Sequence, residues 1–171
     1  MTEEQLRELL HRLVEATFAR DQYYEEDAAR PELSQPATPE QISALERHWG
    51  RRLPPSYRKL LGICNGMTKF LLDVALLSTQ ELIDDVPGLE TFEEPFPDLW
   101  KWIFACAGDS YDALAFDPSQ TRDDGEMAVV LIGDEGEAGR WPSLEDFLQS
   151  LVARVEAELA SERADRENLP E

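Results

Sequence analysis

Histidine is almost missing from this chain: His11 and His48 are the only two among 171 residues. Both fall in predicted helices ahead of any strand, so a nucleophile later in the chain has no imidazole after it to serve as base. The stretch from Gly108 to Asp112 approaches the Gly-x-Ser-x-Gly nucleophile elbow around Ser110. Asp112 stands where that strained turn needs a second small residue, and no histidine follows. Ser110 therefore reads as a turn residue. Cysteine is equally scarce. Cys64 and Cys106 lie among apolar neighbours and make no disulfide framework, so both read as buried, reduced thiols. Cys64 falls near the C-terminal end of a predicted helix, where the dipole disfavours a thiolate. Two Cys and two His at wide spacing make no zinc site, and no Gly-rich phosphate loop occurs. The run from Asp117 to Arg122 misses the calcium-loop pattern, because Arg122 stands where Gly must turn. Neither a catalytic residue nor a metal or cofactor is expected.

Long apolar runs are lacking too, so no membrane-spanning helix is expected. The opening MTEEQLRELL has no basic start and no apolar core of a signal peptide, which points to the cytoplasm. Basic residues are few: 16 Lys and Arg stand against 36 Asp and Glu, a net charge of −20. The imbalance is local. Between Arg47 and Lys69 six residues are basic and none is acidic. From Phe70 to Glu137, 17 acidic residues face only Lys101 and Arg122. Such a field repels nucleic acid and anionic membranes, whose binding needs Lys and Arg to replace counterions. It attracts a basic protein, or it serves solubility alone.

The apolar content of 42% suits one folded domain. Leu6, Leu9, Leu10, Leu13, Val14 and Phe18 share one face of a helix predicted from Glu3 to Tyr23. Residues 24–37, acidic and carrying Pro31 and Pro36, read as a linker. Thr38, Pro39 and Gln41 open a second helix that Gly50 closes. Phe70 to Leu76 reads as one strand, and Ser78 with Glu81 opens another helix. Proline and acids over 87–98 predict an exposed loop. Trp100 to Ala105, Tyr111 to Phe116 and Met127 to Ile132 read as strands, with Trp141 closing the sheet. Alternation puts Trp100 and Trp102 on one face, against the terminal helices. Ser143 caps a last helix whose face is Leu144, Phe147, Leu148, Leu151, Val152 and Val155; fraying is expected beyond Ser161. Helices at both ends around clustered strands predict an α+β domain with a mainly antiparallel central sheet. The division is an N-terminal helix and linker over 1–37, a domain over 38–160 and a charged tail over 161–171.

The most informative segment is residues 53–66, LPPSYRKLLGICNG. Pro55 suits a first helical turn, Tyr57, Leu60 and Leu61 make one apolar face, and Asn65-Gly66 is expected to stop the helix. Leu53, Pro54, Tyr57 and Leu61, with Asn65-Gly66, resemble the Leu-Pro-x-x-Tyr-x-x-x-Leu…Asn-Gly signature of the SUKH superfamily. That group includes the fungal cell-wall assembly regulator of the Smi/Knr type and many bacterial toxin-immunity proteins. The order of elements over residues 38–152 is similar as well, through Ser78 to Glu81, Trp100 to Asp109, Leu114 to Asp117 and Ser143 to Leu148. Met67 and Ser110 replace glycines that the family often carries. The resemblance implies the SUKH-like fold, and the want of catalytic residues leaves a non-enzymatic protein-binding role. That role is an immunity protein neutralising a toxin or, alternatively, an intracellular regulatory or scaffold domain. The acidic loops are the expected partner surface: Glu90, Glu93, Glu94 and Asp98, with Asp123, Asp124 and Glu126. Trp100, Trp102 and Tyr111 lie among them as candidate anchors.

Overall fold

The computed structural model describes residues 1–71, 73–84, 102–107, 113–133 and 136–167. Local capping chemistry decides where most helices begin. Thr2 and Gln5 bond reciprocally to open α1 (Glu3–Tyr24), at 3.2 Å and 2.8 Å. Thr38 and Gln41 repeat the device at α2 (Pro39–Trp49), which Gly50 ends in the left-handed region at φ 66°. Ser78 and Glu81 make the third such box, opening α4 (Thr79–Asp84). Each N-cap of this kind is worth about 1 kcal/mol.

The segment that carries the signature forms α3 (Pro55–Leu61). Asn65-Gly66 does not cap it, contrary to expectation. The helix stops at Gly62, which keeps a right-handed φ of −70°, and the Ile63 and Cys64 N–H groups turn back onto the Leu60 carbonyl, each at 2.9 Å. Asn65 serves the next helix instead: its side-chain oxygen accepts the Thr79 N–H at 2.8 Å. Gly66 does take a positive φ, 116°. A Cβ there would lie 3.3 Å from the Leu76 carbonyl oxygen and 3.4 Å from Ser34 Oγ. Gly66→Val should therefore cost about 1–3 kcal/mol through backbone strain alone. A melting temperature equal to that of the native chain would contradict this.

Residues 67–76 make a hairpin, not the single strand that their apolar run suggests. β1 (Met67–Leu71) pairs antiparallel with β2 (Val74–Leu76), and Leu71 sits opposite Val74. Lys69 takes a left-handed φ of 50°, unusual for a residue with a side chain, and its ammonium meets Asp21 at 2.8 Å. The expected linker is docked rather than loose. Its backbone bonds Ala37 to Leu61, Gln35 to Asn65, Ser34 to Gly66 and Glu32 to Thr68, all within 3.1 Å.

The main sheet is an antiparallel meander of β3 (Ile103–Ala107), β4 (Ala113–Thr121), β5 (Met127–Gly133) and β6 (Gly136–Trp141), in that spatial order. The Leu77 N–H donates to the Ala105 carbonyl at 3.0 Å, joining the end of the hairpin to β3. Ser143 then opens α5 (Leu144–Glu167) by accepting the Asp146 N–H at 3.3 Å. This helix runs past Ser161, where fraying was expected, because α1 lies alongside it. Tyr23 donates to the Glu162 carbonyl at 3.0 Å, Tyr24 bonds the Glu162 carboxylate, and Arg12 pairs with Glu156 at 2.8 Å.

One apolar core joins these elements. Tyr57 stacks at a tilt on Phe116, with ring centres 4.8 Å apart. Phe147 meets Trp141 edge-on at 4.9 Å and lies 6.3 Å from Phe70. Trp102 is half-buried against this core; Trp100 and Tyr111 lie outside the described residues. The architecture is α+β, with the terminal helices flanking antiparallel strands. Among the described residues no helix is long and apolar enough to cross a membrane.

Candidate protein-interaction site

The start of α3 needs an acceptor that its own sequence does not provide. Its N-cap is Pro54, whose side chain makes no capping bond. Glu126, on the turn between β4 and β5, fills the gap from 70 positions away: its carboxylate accepts the Ser56 N–H and the Ser56 hydroxyl, both at 2.7 Å. A carboxylate at a helix N-terminus also meets the positive end of the dipole. The turn itself is closed by two backbone bonds, Arg122 N–H to Glu126 carbonyl at 2.7 Å and Gly125 N–H to Arg122 carbonyl at 2.9 Å. Gly125 adopts φ 85°, which a glycine takes at little cost.

The three described acids expected to face a partner thus separate. Glu126 is half-buried and engaged inside the fold. Asp124 accepts the Glu126 N–H at 3.1 Å and forms an ion pair with Arg122, but it stays exposed. Asp123 is exposed and has no ion pair among the described residues. Glu90, Glu93, Glu94 and Asp98 lie outside the described residues.

A groove runs between this turn and the segment joining α2 to α3. Arg51, Arg52, Leu53, Pro55 and Arg58 line one wall; Thr121, Asp123, Asp124, Gly125 and Met127 line the other. Arg51 and Arg52 also border a second depression, shared with Arg47 and Glu46. Glu46 accepts the Leu53 N–H at 3.0 Å and pairs with Arg58 at 3.2 Å. Arg47, Arg51 and Arg52 have no ion pair among the described residues. The basic run from Arg47 to Lys69, visible in the sequence and the alternative binding face should the acidic loops only solubilise the chain, supplies one wall of this groove. Its meeting with the acidic turn is set by tertiary packing.

The residues weighed for catalysis are scattered. Cys64 is fully buried, and burial pushes its thiol up to about 11, against a weaker opposing bond from the Gly66 backbone. It is therefore a thiol, not a nucleophilic thiolate, at neutral pH. Cys106 is buried as well, and neither cysteine is in a disulfide. His11 is exposed 3.8 Å from Glu15, and exposed His48 lies edge-on to Trp49. Ser110 lies outside the described residues. Among the described residues no group of three His, Cys, Asp or Glu could hold a metal ion.

Residues 36–150 match the SMI1 / KNR4 family, SUKH-1. The chain belongs to this family. The SUKH segment takes in both walls of the groove, Tyr57, and the Glu126–Ser56 bond. It leaves out α1, although the leucines of α1 belong to the same core. Among curated proteins none matches the chain.

Proposed function

We propose that this SUKH-family chain is a non-enzymatic binding module that captures a basic protein, acting in the cytoplasm as an immunity protein against a cognate toxin. The observation that carries this reading is the placement of charge. Asp73, Asp84 and Asp123 are exposed and carry no ion pair among the described residues, within the stretch where 17 acids face two basic residues. Carboxylates left unpaired in this way present a field to solvent. That field speeds capture of a cationic protein and is screened over about 8 Å at physiological salt. Occluding the cationic surface of a toxin needs no chemistry from the binder. A regulatory or scaffold role would use the same surface to recruit a partner without silencing it.

Affinity capture from the native host, followed by mass spectrometry, names the partner. Expression of that partner alone should arrest growth, and co-expression of this chain should restore it. A partner harmless on its own would overturn the immunity role and favour the regulatory one. Reversing two of the acids, Asp84→Lys with Asp123→Lys, should slow association several-fold and flatten its salt dependence, with little change in dissociation. The fold should survive, since such surface changes alter stability by about 0.5 kcal/mol or less each. An association rate indifferent to salt and to both reversals would reduce the acidic surface to a solubility device.

A further inference from the structure

Oppositely charged walls line one groove of this chain, whose net charge is −20. Arg51 and Arg52 stand on one wall, Asp123 and Asp124 on the other, and no ion pair crosses between them. Arg58, on the cationic wall, is held by Glu46 at 3.2 Å. Asp124, on the acidic wall, is held by Arg122. Arg51, Arg52 and Asp123 are left without an ion-pair partner among the described residues. Leu53 on the cationic wall and Met127 on the acidic one are both buried, so each wall is rooted in the core. The walls are fixed to one another, because Glu126 on the turn clasps Ser56 at the start of α3. The separation of charge is therefore built into the scaffold.

We infer that this groove docks a polypeptide segment carrying both charges, with a carboxylate against Arg51 and Arg52 and a cationic side chain against Asp123. Charge complementarity selects this occupant. A purely anionic segment meets Asp123 and Asp124 as well as the surrounding acidic field, and a purely cationic one meets two unpaired arginines. Arginine suits a carboxylate because its planar fork donates two parallel bonds. The inference deepens the proposed function. The acidic field brings a basic partner near, and the groove fixes the register in which one of its segments lies.

The test uses the whole chain, isotope-labelled, and three synthetic peptides: a block of glutamates joined to a block of lysines, all glutamate, and all lysine. The mixed peptide should shift the backbone amides of Arg51, Arg52, Asp124 and Gly125 in a saturable way. R51E with R52E should weaken its binding about tenfold, and D123K should weaken it too, as expected for charge pairs at an interface. Both variants alter exposed or half-buried positions, and their spectra report directly whether the fold is kept. All-glutamate or all-lysine binding at these amides as tightly as the mixed peptide would overturn the inference, as would no shift there at all. The failures are distinguishable: a basic toxin captured in a salt-dependent way with these amides unmoved sinks the groove alone. Mixed-peptide binding without any such capture sinks the immunity reading alone.

Discussion

Tyr57→Ala should destabilise the fold by about 3–5 kcal/mol, whereas Tyr57→Phe should leave stability unchanged or slightly raised. The ring of Tyr57 is fully buried and packs on Phe116 with centres 4.8 Å apart. Truncation opens a cavity beneath α3, and interiors this closely packed recover little of the lost contact. The hydroxyl is a different matter. It is buried without a hydrogen-bond partner among the described residues, and burial, with the nearby Cys106 and Cys64, pushes its pKa upward. An unpaired buried hydroxyl costs free energy that phenylalanine does not incur. Urea unfolding of the two variants beside the native chain reads both effects. A loss above about 1 kcal/mol in Tyr57→Phe would show that the hydroxyl has a partner, such as a buried water.

The two arms of this experiment bear on the signature itself. Tyr57 is the most prominent residue of the Leu-Pro-x-x-Tyr segment, yet packing alone asks only for an aromatic ring there. The neighbouring Ser56 has the opposite character. Its position in the signature is unspecified, but it receives the Glu126 carboxylate through both its N–H and its hydroxyl. Signature residues and residues that join the two walls of the groove are thus partly distinct sets.

What was legible in the sequence was local. The Thr38–Gln41 and Ser78–Glu81 boxes are four-residue devices, and their geometry depends on almost nothing beyond themselves. The helical stripes of α1 and α5 were legible for the same reason, since spacing alone puts Leu6, Leu10 and Leu13, or Leu144, Leu148 and Leu151, on one face. The hairpin of β1 and β2 was not. Its reversal between Leu71 and Val74 carries a single turn-favouring residue, Asp73, with no Gly, Pro or Asn beside it. Asn65-Gly66 carries that mark but uses it otherwise: Asn65 to hold the start of α4, Gly66 to enter β1. The persistence of α5 beyond Ser161 depends on Tyr23 and Tyr24, more than a hundred positions away. The groove was illegible for the same reason: its arginines and its aspartates lie on segments far apart in the chain.

Asp117→Ala should cost about 1–3 kcal/mol near neutral pH, in the range for removing the hydrogen bonds of a charged group. Asp117 is 4% exposed, where β4 loses register with β5 between Asp117 and Thr121. One of its oxygens accepts the Ser119 N–H at 2.9 Å and the Ser119 hydroxyl at 2.6 Å; the other meets Arg140 at 2.8 Å. Arg140 is exposed and also holds Glu137 at 2.6 Å, so it is not left as a buried unpaired charge when Asp117 is lost, which keeps the cost below that of breaking a fully buried pair. Burial alone would raise the Asp117 pKa; the bonds from Ser119 and Arg140 outweigh it and hold the carboxyl below its ordinary value. A carboxylate with a depressed folded-state pKa stabilises the fold fully above its unfolded value of about 3.9. That stabilisation is lost as pH falls from there through the folded-state pKa. Asp21, Glu137 and Glu145 are depressed too, so the acid limb of the native chain reports all of them together. Asp117→Asn separates the contribution, since it keeps the side-chain shape and one acceptor but removes the charge. The stability difference between native and Asp117→Asn, from urea unfolding at successive pH values, should be constant above about pH 5 and shrink below about pH 4. A difference that stays constant into strong acid would mean that Asp117 acts through shape and hydrogen bonding alone, with Arg140 satisfied by Glu137.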